Sequence, residues 1–154
     1  MKREAAALVC AMALLAPISV AGQEAAAGPN WTNDYANGVV TATERDSHGR
    51  VTATITCRPP DGIMVLADYT LTGPGRRAQR ADVKIGNLSV NIPSRVDGAG
   101  RDQALRINLP QRPPILAAVQ PSDHVTITVA NQSRELSDGS AAEMKQVAYG
   151  CWGS

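Results

Sequence analysis

The sequence contains no phenylalanine, and its aromatic residues are limited to two tryptophans and three tyrosines. Any core must therefore be filled by Val, Ile, Leu and Ala. A charge excess is also missing, with 15 Lys and Arg against 14 Asp and Glu. Nucleic-acid-binding domains usually carry a strong basic surplus, so no nucleic-acid partner is expected. Beyond the first 21 residues, no apolar run approaches the roughly 20 residues that a membrane-spanning helix requires. Catalytic signatures are absent as well. There is no G-x-S-x-G, no H-E-x-x-H and no phosphate-binding glycine loop. His48 lies in a turn segment. His124 opens a strand beside Asp123 and could form a local pair with it. A base–nucleophile system needs a positioned third group, and the sequence offers none. The expectation is a chain without catalytic residues, cofactor or metal site.

What is present begins at the N-terminus. Lys2 and Arg3 precede an apolar run from Ala5 to Ile18, and Ser19-Val20-Ala21 follows. That order predicts a Sec-type export signal cleaved after Ala21, and hence a periplasmic or secreted location. Cys10 falls inside the apolar run, with Ala7 three residues before it, so it does not occupy the lipoprotein position. The expected organisation is a signal over 1–21, a flexible leader over 22–36 and one domain over 37–154. Removing the signal takes away two basic residues and one acidic residue, which leaves the charges balanced.

Two cysteines remain, Cys57 and Cys151. In an oxidising compartment such a pair is expected to form a disulfide. The loop-entropy argument puts its restriction of the unfolded chain at about 4.5 kcal/mol. No C-x-x-C pattern suggests redox activity, and no further ligands lie close enough in sequence to suggest a metal.

Along the domain, Val51, Ala53, Ile55 and Cys57 alternate with Thr52, Thr54 and Thr56 after the turn Asp46-Ser47-His48-Gly49. Strict alternation beside a glycine turn predicts a β-hairpin with one buried face, with Cys57 pointing inward. Further strands are expected over Ile63–Leu71, over Val83–Ile92 with an irregularity at Gly86-Asn87, over Ala104–Leu109 and over His124–Val129. One helical turn is expected near Ile115–Val119. The period then changes: Ala141, Met144, Val147, Ala148 and Cys151 recur at helical spacing, with Ser137 or Asp138 as cap and Gly150 as stop. The predicted fold is mainly β, a small antiparallel sandwich or curled sheet with one short C-terminal helix.

Arg76, Arg77 and Arg80 form the one local basic cluster. It reads either as a contact for an anionic surface, since guanidinium forks suit phosphate and carboxylate, or as a solvated hairpin tip that protects strand edges.

The stretch from Ile115-Leu116 to Val129, then Leu136-Ser137-Asp138-Gly139-Ser140-Ala141-Ala142 and the ending Tyr149-Gly150-Cys151-Trp152, resembles the C-terminal region of type VI secretion-associated periplasmic accessory proteins. Trp31 and Cys57 match the early Trp and the strand-ending Cys of that layout. The middle, Gly73 to Pro114, has no counterpart, and the helix entry is Asp138-Gly139-Ser140 rather than an apolar Gly-Leu step. The resemblance implies a non-enzymatic, disulfide-bearing envelope protein that assists an assembly, with an envelope protein or cell-wall partner. The rival expectations are a secreted enzyme inhibitor, presenting a loop at Gly73–Arg80 or Ser94–Asp102, and a small structural protein of the envelope surface.

Overall fold

The computed structural model describes residues 30–59, 62–71, 79–109 and 114–152. Nine strands form one antiparallel sheet: β1 (Trp31–Ala36), β2 (Val39–Arg45), β3 (Val51–Cys57), β4 (Met64–Asp68), β5 (Gln79–Ile85), β6 (Leu88–Asp97), β7 (Ala104–Leu109), β8 (Val125–Val129) and β9 (Gln132–Glu135). A 3-10 turn lies at Gly100–Asp102, a one-turn helix α1 at Pro114–Ala118, and the longer helix α2 at Ser140–Trp152. The sheet is curled into a half-barrel and is not split into a sandwich.

The spatial order is β1-β2-β3-β4-β7-β6-β5-β8-β9. Strands β5, β6 and β7 run as a meander that brings β7 back beside β4, the Greek-key arrangement. The chain then crosses through α1 to place β8 on the far side of β5.

The alternation read in β3 sets one inner row after another. Cys57 pairs with Val40 and Met64, and Met64 with Leu109; Ile55 pairs with Ala42 and Leu66, and Leu66 with Ile107. All of these except the partly buried Val40 are fully or almost fully buried. Helix α2 packs on β2, β3 and β4 and buries Ala141, Met144, Val147, Ala148 and Cys151, the residues whose spacing predicted it. Cys57 and Cys151 are joined, with Cα atoms 5.7 Å apart and a sequence separation of 94. The helix is thereby fixed to the middle of the β1–β4 half.

Several expectations change. Trp31–Ala36, placed within the leader, form the edge strand β1, because Asn37 and Gly38 both adopt positive φ (52° and 72°) and close a two-residue hairpin from Ala36 to Val39. The predicted strand Ile63–Leu71 stops at Asp68. There the carboxylate accepts the Thr70 and Leu71 backbone N–H groups at 2.7 and 2.8 Å and turns the chain. Gly86-Asn87 is a two-residue turn with Gly86 at φ 56°. Gly150 does not stop α2. It lies within the helix, where an added Cβ would come within 3.0 Å of Val40, so its role is close approach to β2. Nor do the Ser137 and Asp138 side chains cap α2: the Ser140 N–H binds the Ser137 carbonyl, and the Asp138 carboxylate faces His124 at 3.6 Å. Among the described residues no helix is long and apolar enough to cross a membrane.

Candidate functional site

A polar cleft of about 870 Å³ lies at the end of the sheet where the β2–β3 turn, the residues after β4 and the 3-10 turn approach one another. Its walls include Arg45, Arg50, Tyr69, Arg101 and Asp102, with Thr43 and Thr54 among the lining residues. Thr43 and Thr54 are paired opposite each other on β2 and β3. They project from the face opposite Ala42, Ile55 and the core, as the period of two requires.

One wall of the cleft is a fixed turn. The Asp46 carboxylate accepts the His48 and Arg50 backbone N–H groups at 2.8 and 3.0 Å, and the Arg50 guanidinium at 2.7 Å. These bonds, led by the Arg50 backbone N–H, hold the Asp46 carboxyl below its ordinary range. Arg45 donates to the Gly49 carbonyl at 2.9 Å, and Gly49 sits at φ 75°. Asp46 and Arg50 thus neutralise each other. The exposed Arg101 and Asp102 side chains and the Tyr69 hydroxyl have no hydrogen-bond or ion-pair partner among the described residues.

Behind the cleft, one buried charge cluster closes the curled sheet. Arg134 on the edge strand β9 bonds the Asp68 carboxylate at the end of β4, the Glu44 carboxylate on β2, and the Thr52 carbonyl at 2.9 Å. Thr52 is the extra residue of a bulge, since Glu44 pairs with Ala53 while Arg45 pairs with Val51. Its hydroxyl donates to Glu44 at 2.7 Å, and the Ser137 N–H donates to the other Glu44 oxygen at 2.7 Å. Burial pushes the Glu44 carboxyl up, but Thr52, Ser137 and Arg134 together bring it below its ordinary value. With every acceptor engaged, the cluster holds β9 against β2, β3 and β4, and serves as a support for the cleft.

A different carboxylate lies on α2. Glu143 is fully buried, and neither of its oxygens has a hydrogen-bond partner. Desolvation pushes its carboxyl up, and the nearby Asn33 amide offsets only part of that. The Asn33 amide donates instead to Gln146 at 3.2 Å.

The residues singled out from the sequence fall elsewhere. Arg76 and Arg77 lie outside the described residues. Arg80 is in β5, its guanidinium bonded to the side chain and carbonyl of Asn91 on β6. Ser94–Asp97, expected in a loop, are the end of β6, and Arg101 and Asp102 beyond them enter the cleft wall. His124 faces Glu135 and Asp138 at 3.8 and 3.6 Å rather than Asp123. Asp123 accepts the Gln120 N–H at 2.8 Å. No group of three or more potential metal ligands occurs among the described residues. The cleft residues come from three separate stretches of chain, and no local motif connects them. No protein family, curated protein or solved structure matches this chain.

Proposed function

We propose that this chain is an exported periplasmic accessory or binding module, without catalytic activity, that assists an envelope assembly such as a secretion system. The observation that carries the reading is the cleft. Its walls are stiffened by the Asp46 turn and backed by the Arg134 cluster, yet Arg101, Asp102 and Tyr69 keep their polar groups unspent. A disulfide between β3 and the terminal helix accords with an oxidising compartment, and the N-terminal pattern of the sequence accords with export. A preformed concavity with a few convergent polar groups is the general form of a ligand site.

Two measurements test this. N-terminal sequencing of the protein recovered from a periplasmic fraction should begin at Gly22; a full-length chain retained with the membrane would refute export. Affinity capture from an envelope fraction should recover a component that the variant carrying Arg45→Ala and Arg101→Ala no longer recovers. Equal recovery by both proteins, or a measured turnover, would overturn the binding-module reading.

A further inference from the structure

We propose that the cleft takes a short acidic saccharide, its one carboxylate or phosphate held by the guanidinium groups of Arg45 and Arg101. This inference rests on the binding-module reading and specifies its ligand chemistry.

The β3 segment Ala53–Cys57 is paired residue by residue with β2 on one side and β4 on the other. The backbone of the floor therefore has no open ladder to which an extended peptide could add. Recognition falls to side chains.

Asp46 and Arg50 satisfy each other. The groups left are Arg45, which spends one N–H on the Gly49 carbonyl, Arg101 and Asp102. Among these unspent lining side chains two cations stand against one carboxylate. That suits a single anionic group, which guanidinium forks bind well, and is far short of what a polyanionic strand requires.

Thr43, Thr54 and Tyr69 present hydroxyls that each donate and accept. Asp102 accepts only, and the half-buried Tyr69 ring adds an apolar face. Interleaved donors, acceptors and one flat ring match a polyhydric ring with an apolar side. The volume of about 870 Å³ falls within the range of small-ligand sites.

The test uses the protein purified from the periplasm and titrated with glucuronate, glucose 6-phosphate, chitotriose and inorganic phosphate, read by amide NMR shifts and calorimetry. Glucuronate or glucose 6-phosphate should perturb the amides of Thr43, Thr54, Tyr69 and Arg101. The tighter of the two identifies the anion as carboxylate or phosphate. Chitotriose should bind at least tenfold more weakly, and Arg101→Ala should weaken the acidic ligand at least tenfold. Arg101 is exposed and unpartnered, so an unchanged unfolding midpoint will show that this variant keeps its fold. Inorganic phosphate binding as tightly as glucose 6-phosphate would overturn the saccharide assignment, as would an undiminished affinity in Arg101→Ala. If no saccharide binds while envelope capture still depends on Arg45 and Arg101, the ligand class is wrong and the binding-module reading stands.

Discussion

Glu44 and Glu143 are both almost completely buried, one on β2 and one on α2, and their surroundings differ in every other respect. Glu44 sits where the Arg134 side chain of edge strand β9 reaches across to β2. A hydroxyl, a backbone N–H and a guanidinium reach it. Glu143 lies under the edge strand β1 with neither oxygen bonded. A buried carboxylate keeps its charge only when donors replace the water it has lost. At the seam the donors come from β3, from β9 and from the loop before α2, and burial becomes a way of joining them. On α2 no donor comes, and burial pushes the Glu143 carboxyl above its ordinary value. One region uses a buried charge to close the fold; the other tolerates a buried acid at the expense of stability.

The largest effect should come from breaking the seam. Arg134→Met leaves Glu44 and Asp68 buried without their cation and is expected to lose about 3–5 kcal/mol, read as a lower urea midpoint at unchanged m-value. A loss below 1 kcal/mol would make the cluster incidental to closure. Next, replacing both Cys57 and Cys151 by Ala should lower stability by about 2–5 kcal/mol, and a chelator should have no effect on either protein. The smallest expected change has the opposite sign: Glu143→Met removes an unsatisfied group from a buried place and should stabilise by about 1–3 kcal/mol at neutral pH.

The pH dependence sharpens the same contrast. The folded-state pKa of Glu143 lies above its ordinary value of 4.5. Its native state therefore binds the extra proton, and its contribution is full below 4.5 and fades as pH rises toward the folded value. That of Glu44 lies below 4.5, so its contribution is full above that pH and fades on acidification. Urea midpoints measured across pH should show Glu143→Met losing the decline on the upper side while keeping the acid limb. A wild-type profile identical to that of Glu143→Met would mean that Glu143 finds a donor in solution.

The parts of this contrast differ in how far they could be read from sequence. Val51, Ala53, Ile55 and Cys57 announce an inward face because apolar and polar residues alternate without a break. The face of α2 is announced by Ala141, Met144, Val147 and Cys151. Strand β9 is not, because Gln132-Ser133-Arg134-Glu135 holds no apolar residue. Its one inward side chain is a guanidinium, whose burial makes sense only once Glu44 and Asp68 arrive from 90 and 66 residues away in sequence. The Asn37-Gly38 hairpin was legible in principle, since that dipeptide is a strong turn signal. The polar composition of Thr32 to Asp34 masks it, because an edge strand beside solvent needs few apolar residues. The cleft was illegible for the same reason as the seam: Arg45, Tyr69 and Arg101 meet through the Greek-key crossover, which no local period encodes.

The bond between Cys57 and Cys151 has a mechanical consequence. A pull applied at the C-terminus passes through the sulfur atoms into β3 and from there toward β2 and β1. The span between the two cysteines, whose sequence separation is 94 and which includes Arg134 and Asp68, lies outside the line of force. Stretched by its ends, the oxidised chain can pay out only the first hairpins, whereas the reduced chain can be drawn out along its whole length. An extension trace of the oxidised molecule should therefore be short, and a reductant should lengthen it by the contour of the sheltered span.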